Sequence, residues 1–203
     1  MSASVPTSDG STAGARRPWV AVVTGAPGAG KSSTAAEVAR LAGAALLDQD
    51  SMTNPLVDVV ARLLDAVDYD DPRLAALVRA PRYAVLVRVA ADCLAAGRPV
   101  VLVAPFTTER RDAEAWERFA AEVAAVGGEA RLVWLRVEAD VLAERLMARG
   151  AERDLVRLRD VAGYVAGLDL GAPVAPHLEV DAALAPGEQA ARVVTALDAA
   201  RPA

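Results

Sequence analysis

The residues best suited to chemistry form one glycine-rich octet that ends in a lysine and a hydroxyl side chain. The octet is Gly25-Ala26-Pro27-Gly28-Ala29-Gly30-Lys31-Ser32, which matches the pattern G-x-x-x-x-G-K-[ST] at every fixed position. Its glycines allow a tight turn whose N–H groups converge on an anion, and a helix start adds a positive dipole end. Lys31 is placed to reach the terminal phosphates of a nucleotide, and Ser32 to ligate Mg²⁺. We therefore predict that the octet and the adjoining Ser33 bind nucleotide phosphates.

The flanks of the octet supply the local structure that such a loop needs. Val20-Ala21-Val22-Val23 is a short, β-branched apolar run that predicts a buried strand, and residues 32–41 have helical spacing. An ordinary glycine-rich turn does not require this context. Lys31 is also the only lysine beside 21 arginines. A compact ammonium thus stands where a phosphate site uses one.

A pair of carboxylates, Asp48 and Asp50, follows the second apolar run, Ala44–Leu47. If the strand continues through them, two residues with a single residue between them point to the same side. One carboxylate can then help to hold Mg²⁺, and the other can accept the proton of an attacking hydroxyl. The alternative is a solvated strand end or a helix cap, since Asp is common at both.

Strand and helix patterns alternate from Trp19 onward, which predicts an α/β fold with a parallel sheet covered by helices on both faces. We expect a tail without stable structure over residues 1–17 and one domain over 18–203. The predicted strands are Val20–Thr24, Ala44–Leu47, Val100–Ala104, Arg131–Val137 and His177–Val180. The predicted helices are 31–42, 55–66, 72–96, 109–126, 139–149, 154–166 and 187–200.

Composition limits the partners and the compartment. The net charge of −5 argues against nucleic acid, and no apolar stretch is long enough to span a membrane. The single cysteine, Cys93, lies in an apolar helical pattern and can form no disulfide within the chain, which fits a reducing cytoplasm. We expect a monomer or a homodimer.

The phosphate loop together with Asp48-x-Asp50 resembles the small P-loop kinases that phosphorylate metabolites, such as gluconate, shikimate and adenylylsulfate kinases and chloramphenicol phosphotransferase. The resemblance covers about residues 19–200. It implies a three-layer P-loop kinase fold with a five-stranded parallel sheet and a small helical lid, and it implies ATP and Mg²⁺ as cofactors. Carried over from the family, Asp48 lies near Mg²⁺ and Asp50 contacts the acceptor hydroxyl as a base.

The segment Val141–Gly150 is similar to the family helix that leads into the lid, with Arg145 and Arg149 on one face. The resemblance implies that Arg145 lies near the adenine and that Arg149 and Arg153 clamp the transferred phosphate. The alternative is a solvated helix face paired with Glu144 and Glu152.

Two further segments match the family, one of them with a departure. Residues 175–181 resemble its last strand, and we give the only histidine, His177, a structural role. The third strand runs into Ala104-Pro105-Phe106, so the acidic residue that often follows it is absent. Ser32 and Asp48 are then left to hold Mg²⁺, and an ATPase that activates water there is disfavoured.

The segment between Asp50 and Arg98 is expected to bind the acceptor, with Arg79, Arg82 and Tyr83 as candidate contacts or, alternatively, as an amphipathic helix surface. These patterns predict an ATP-dependent kinase that acts on a hydroxyl group of a small molecule, either a metabolite or an antibiotic. The alternatives are a nucleoside or nucleotide kinase, a regulatory protein that hydrolyses ATP slowly, and a toxin-like kinase that acts on a nucleotide sugar.

Overall fold

The computed structural model describes residues 17–69, 71–149 and 160–199 of the chain. Within them the strands are β1 (Trp19–Gly25), β2 (Ala45–Asp48), β3 (Val100–Val103), β4 (Glu129–Arg136) and β5 (His177–Asp181). The helices are α1 (Lys31–Ala42), α2 (Gln49–Leu63), α3 (Pro72–Ala95), α4 (Thr107–Arg111), α5 (Ala113–Ala125), α6 (Ala139–Arg149), α7 (Val161–Ala166) and α8 (Pro186–Ala199). The predicted tail 1–17, apart from Arg17, and the predicted lid residues before 160 lie outside the described residues.

In the described part of the chain, the strands form one parallel sheet in the order β2-β3-β1-β4-β5. Strand β1 lies at the centre, and all of its residues are buried. Parallel strands of this kind are apolar on both faces because helices cover both faces. The predicted three-layer α/β fold with helices on both faces is confirmed.

The alternation of side chains along β1 divides the core into two layers. Ala21 and Val23 face one layer, which contains buried residues of α1, α6 and α8. Val20 and Val22 face the other layer, which contains buried residues of α3 and α5. Successive side chains of a strand point to opposite faces, so one apolar strand supplies both layers. The sheet is therefore held rigidly from both sides, with its carboxyl ends carrying the connecting loops.

The prediction that a helix begins at residue 55 is wrong, because α2 begins at Gln49. The side chain of Asp48 caps this helix by accepting hydrogen bonds from the N–H groups of Asp50 and Ser51. Pro55 lies inside the helix rather than at its first position. The correction also moves Asp50 from a strand end into the first turn of a helix, so the same-side geometry expected of a strand does not apply to it.

The predicted single helix over 109–126 is divided into α4 and α5 at Asp112. The backbone of Asp112 is extended, and its carboxylate accepts from the N–H groups of Glu114 and Ala115. An Asp side chain satisfies the first N–H groups of a new helix better than it continues an old one. The short helix α4 is thereby set off from α5, directly after the carboxyl end of β3.

The only histidine and the only cysteine of the chain pack against other parts of the fold. The ring of His177 lies edge-on to Trp134 at 5.5 Å, and its Nδ1 is 2.8 Å from the carbonyl oxygen of Ala175. Cys93 is half-buried and packs against the core layer of α3 and α5. Among the helices of the described ranges, none has the length and hydropathy needed to cross a membrane.

Candidate functional site

The predicted phosphate loop connects β1 to α1 and has no room for side chains at two of its glycines. A Cβ atom on Gly25 would lie 2.9 Å from the carbonyl oxygen of Leu135. A Cβ atom on Gly28, whose φ is +89°, would lie 3.0 Å from Cδ1 of Leu142. Glycine is thus required both for the close approach and for the left-handed backbone.

The other residues of the loop divide between packing and exposure. Ala26 and Ala29 are buried, and the N–H of Ala29 donates to the carbonyl of Ala26 at 3.1 Å, which closes the turn. Pro27 and Ser33 are exposed. The predicted octet therefore forms a compact turn followed by the first two residues of α1, and Ala26 and Ala29 anchor the turn to the core.

Helix α1 begins after Gly30 with no side-chain cap and no acidic residue in its first turn. By contrast, aspartate side chains cap α2, α3, α5 and α7. The first N–H groups of a helix have no partner within the helix, and the helix dipole makes that end positive. The start of α1 is therefore suited to an external anion, as a phosphate loop requires.

The ammonium group of Lys31 lies over the loop. Its Nζ donates to the carbonyl oxygens of Gly25 and Ala26, each at 3.0 Å. These contacts hold a positive charge beside the uncapped start of α1. The arrangement can neutralise the charge of phosphates bound in the loop.

The predicted metal ligands Ser32 and Asp48 are in direct contact, although they are 16 residues apart in the chain. The Ser32 hydroxyl donates to Oδ2 of Asp48 at 2.9 Å. Oδ1 of Asp48 accepts from the N–H groups of Asp50 and Ser51 at 2.9 and 3.2 Å. Asp48 is thus a helix cap, the alternative left open by the sequence, and it also faces the phosphate loop. Adjacent hydroxyl and carboxylate oxygens fit Mg²⁺, which prefers oxygen ligands.

Asp50 points to a different partner from Asp48. Its Oδ1 forms an ion pair with Nη2 of Arg82 at 2.5 Å, and 60% of its side chain is exposed. Arg82 also donates to the side chains of Thr53 and Asn54 at 2.7 and 2.9 Å. The guanidinium therefore fixes the carboxylate relative to the first two turns of α2. The side chain of Arg82 is therefore held by α2 and does not lie on a solvated face of α3.

A cavity of about 300 Å³ opens between α2, α3 and the segment after β3. It contains all three residues predicted to contact an acceptor, together with residues that the sequence did not single out. Its walls are formed by Gln49, Tyr69, Ala75, Val78, Arg79, Arg82, Tyr83, Pro105 and Thr107. Arg79 donates to the hydroxyl groups of Thr107 and Thr108 at 3.2 and 2.8 Å. The cavity is the clearest place in the described residues for a second substrate.

Tyr83 connects this cavity to the segment after β3. Its hydroxyl accepts from the backbone N–H of Phe106 at 3.0 Å, and its ring meets the Phe106 ring edge-on at 5.5 Å. Burial, followed by the negative charge of Glu109, raises the pKa of Tyr83 to about 12. The phenol is therefore protonated near neutral pH and can donate its hydrogen into the cavity.

The carboxyl end of β3 carries no acidic side chain. The strand ends at Val103, and the hydroxyl of Thr24 donates to the carbonyl oxygen of Pro105 at 3.0 Å. Thr24 is fully buried, so this bond ties β1 to the turn after β3. The segment that follows β3 is thus attached to the residue just before the phosphate loop by a side-chain to backbone hydrogen bond.

Arg145 joins the phosphate loop to the segment after β5. Its guanidinium donates to the carbonyl oxygens of Ala29 and Ala182 at 3.2 and 2.5 Å. It is therefore an internal bridge rather than a solvated residue. Arg149 ends α6, but its side chain and the whole of Arg153 lie outside the described residues.

Arg110 is a buried arginine that sequence reasoning missed. Its side chain donates to the carbonyl oxygens of Asp169 and Gly171, and its backbone carbonyl accepts from Val174. Burial lowers the pKa of its guanidinium from the ordinary value. No local pattern signals this role, because the partners are 59 to 64 residues away along the chain. Arg110 fixes the segment between α7 and β5 against α4.

Comparison with known proteins extends these observations. The family model described as AAA domain matches residues 20–168, which is more than half of the chain. No curated protein is significantly similar to the chain in sequence. The match includes the phosphate loop, the Asp48–Asp50 segment and the wall of the cavity.

Solved structures share the fold over almost the whole chain. A gluconokinase from Sinorhizobium meliloti is 21% identical, with a TM-score of 0.55 and coverage of 91% of this chain and 94% of its own. The APS kinase of Mycobacterium tuberculosis, in complex with AMPPNP and APS, is 24% identical, with a TM-score of 0.57 and coverage of 90% and 99%. The shikimate kinase of Aquifex aeolicus is 14% identical, with a TM-score of 0.51 and coverage of 89% and 96%.

The resemblance inferred from the sequence is thereby confirmed. The family match and these structures agree on a nucleotide-binding P-loop fold of the kinase type. The chain belongs to the AAA domain family, and its fold is that of the small-molecule P-loop kinases.

Proposed function

We propose that this protein is an ATP-dependent kinase that transfers the γ-phosphoryl group to a hydroxyl group of a small molecule. The observation that carries the proposal is the hydrogen bond between Ser32 and Asp48. It joins the phosphate loop to the helix start that holds Asp50, beside a cavity large enough for a small molecule. This arrangement supports a phosphate site next to an acceptor site.

Each residue has a definite task in this proposal. Lys31 and the N–H groups at the start of α1 bind the phosphates, and Ser32 with Asp48 holds Mg²⁺. When bound, Mg²⁺ neutralises charge on the phosphate oxygens. The oxygen of the acceptor hydroxyl bonds to the γ-phosphorus while the bond between that phosphorus and ADP breaks. Asp50 accepts the proton that the hydroxyl loses. Arg82 binds Oδ1 of Asp50, so the proposal assigns the proton to Oδ2.

The remaining predicted site residues complete the proposal. Arg145 keeps the adenine side of the site in place, since it bridges the phosphate loop and the segment after β5. We keep Arg149 and Arg153 as the cations that stabilise charge on the transferred phosphoryl group. A cytoplasmic location is part of the same proposal, supported by a single cysteine that can form no disulfide within the chain.

The direct test is a metabolite panel incubated with labelled ATP and Mg²⁺, with label followed into organic products and into free phosphate. Transfer to a hydroxyl compound at a rate well above hydrolysis supports a kinase. Phosphate release alone, unaffected by any acceptor, indicates a regulatory ATPase. Transfer confined to nucleosides or nucleotides indicates a kinase of that class instead.

A pair of variants on α1 controls this test. Lys31→Ala removes the ammonium over the loop and should abolish transfer and weaken ATP binding, because the loop then lacks its cation. Arg40→Ala removes an exposed cation near the other end of the same helix, where it pairs with Glu37. Near-normal turnover by Lys31→Ala would contradict the proposal, and a loss in both variants would indicate damage to the helix.

A further inference from the structure

Gln189 is a buried polar residue of α8 whose side chain holds the turn after β5 (residues 182–185). Only 3% of Gln189 is exposed. Its Nε2 donates to the carbonyl oxygens of Ala182 and Leu184 at 3.1 and 2.6 Å. A buried amide costs free energy unless its polar atoms have partners, and here Nε2 has two acceptors. The turn after β5 is therefore fixed by a side chain from the first turn of α8.

The oxygen of the same amide reaches the helix that follows the phosphate loop. Oε1 of Gln189 accepts from the hydroxyl of Thr34, which is also buried and lies in the first turn of α1. The amide cannot be reversed, because its oxygen would then face the carbonyl oxygens of Ala182 and Leu184. One side chain thus joins the turn after β5 to the start of α1, 155 residues away in the chain.

Ala182 is the point where this contact meets the bridge made by Arg145. The carbonyl oxygen of Ala182 accepts from Gln189 and from Arg145, and Arg145 also donates to Ala29 in the phosphate loop. The N–H of Ala182 donates to the carbonyl oxygen of Arg136, at the end of β4, at 2.8 Å. Both polar backbone groups of this buried residue are therefore occupied. Two side chains, those of Arg145 and Gln189, set the distance between the phosphate loop and the turn after β5.

The order of the strands separates the two ends of a bound nucleotide. Asp48 and the cavity between α2 and α3 lie at the carboxyl ends of β2 and β3, on one side of β1. The turn after β5 lies on the other side of β1, beyond β4. In the proposed function the terminal phosphate points toward Asp48, so the nucleoside part extends the opposite way, over β4 toward the turn after β5. The distance that Gln189 helps to set is then the distance between the phosphate site and the nucleoside site.

We propose that Gln189, acting with Thr34, is a positioning residue for the nucleoside part of the nucleotide. It holds the turn after β5 in place relative to the phosphate loop before the nucleotide binds. A ligand that meets two preformed surfaces does not have to order one of them, so its affinity is higher. The role rests on the proposed function only for the direction in which the nucleotide lies. Loss of Gln189 should therefore weaken the binding of a complete nucleotide and spare the binding of a phosphate chain alone.

The test compares ATP with inorganic tripolyphosphate, which has the same number of phosphates and no nucleoside. The affinity for each is measured with Mg²⁺ by calorimetric titration below the Tm of every variant. Gln189→Met removes the amide at similar length, so it should weaken ATP binding about 10-fold and change tripolyphosphate binding by about twofold or less. Thr34→Val removes only the hydroxyl at constant shape, so it should weaken ATP binding about 3-fold in the same selective way. If Gln189→Met does not fold, Thr34→Val is the variant on which the result depends.

Three further variants separate positioning from a general loss of stability. Thr34→Ser keeps the hydroxyl and should restore the ATP affinity that Thr34→Val loses. Val193→Ala removes buried apolar atoms one turn further along α8, so it should lower Tm without changing the ratio of the two affinities. Lys31→Ala lacks the cation over the phosphate loop and should weaken both ligands.

The ratio of the two affinities decides whether Gln189 positions the turn after β5. A selective loss of ATP affinity in Gln189→Met and Thr34→Val, restored in Thr34→Ser, supports the role. Equal losses for both ligands, no loss for either, or the same selective loss in Val193→Ala would overturn it. Wild-type protein that binds ATP no more tightly than tripolyphosphate would also overturn it, because the nucleoside would then add nothing. A failure to transfer phosphate to any acceptor would contradict the kinase alone, since these titrations contain no acceptor.

Discussion

Asp48 is expected to serve stability and metal binding through different oxygens, which allows the two roles to be separated. Oδ1 caps α2 through N–H groups at 2.9 and 3.2 Å, and Oδ2 accepts from Ser32 at 2.9 Å. Asp48→Ala removes both, and the lost cap alone costs about 1 kcal/mol. For a domain of this size, 1 kcal/mol corresponds to a fall in Tm of about 2–4 °C.

Asp48→Asn separates the two roles, because asparagine caps helices about as well as aspartate does. It loses only the attraction between the charge and the helix dipole, about 0.3–1 kcal/mol. The Mg²⁺ concentration needed for half-maximal ATP binding should nevertheless rise about 10- to 100-fold, as is typical when a metal site is altered. Titration of ATP binding with Mg²⁺ measures this shift in both variants.

Asp112 offers a matched control, because its Oδ1 caps α5 through N–H groups at the same distances, 2.9 and 3.2 Å. Asp112→Ala should reproduce the fall in Tm of Asp48→Ala with no change in Mg²⁺ dependence. If Asp48→Asn keeps the wild-type Mg²⁺ titration, the carboxylate is not in the metal shell. If Asp112→Ala shifts that titration as well, the effect reports stability and not metal binding.

Other parts of the site make separate predictions. Gly28→Ala should lower both Tm and ATP affinity, because the φ of Gly28 is +89° and a Cβ atom there would lie 3.0 Å from Leu142. Thermal melts with and without ATP measure both quantities. Wild-type values in both melts would contradict the prediction. Asp50→Asn should lower kcat by about 10²- to 10⁴-fold with ATP affinity preserved, which steady-state kinetics and nucleotide titration can check. The pKa of Tyr83 is raised to about 12 in the folded protein, so the unfolded chain ionises first as pH rises. The contribution of Tyr83 to the free energy of unfolding should therefore be fully present below about pH 10. It should be lost between about pH 10 and 12. Urea unfolding across this range should show a shallower fall for Tyr83→Phe, and an identical fall would refute the assignment.

The sequence predicts the parts of this structure that have strong local patterns. The phosphate loop and the central strand β1 combine fixed glycines with an uninterrupted apolar run, so both local geometry and burial follow from the residues. Helices α1 and α6 have the predicted bounds because their apolar spacing is regular and Gly30 and Gly43 flank α1. The fold class follows from the alternation of these elements.

The predictions from sequence were wrong or incomplete where two local preferences competed, or where a residue contacts residues far away in the chain. The predicted helix began at residue 55, but the cap formed by Asp48 begins α2 at Gln49. The sequence around Asp112 is compatible with a helix interior and with a helix cap. In the structure Asp112 caps α5. Gln49 gave no signal because its burial arises from α3 and the segment after β3, which are remote in sequence.

The turn Asp48-Gln49-Asp50 places three adjacent residues against three different surroundings: the phosphate loop, the cavity, and Arg82. Successive positions of a helix start point in different directions, so each of the three side chains meets its own surroundings. Under the proposed function, a substitution at Gln49 would change the wall of the cavity while Asp48 and Asp50 keep their contacts with Ser32 and Arg82. Under the proposed function, sequence divergence at this turn would alter the cavity one residue at a time, whereas an insertion would displace all three residues at once.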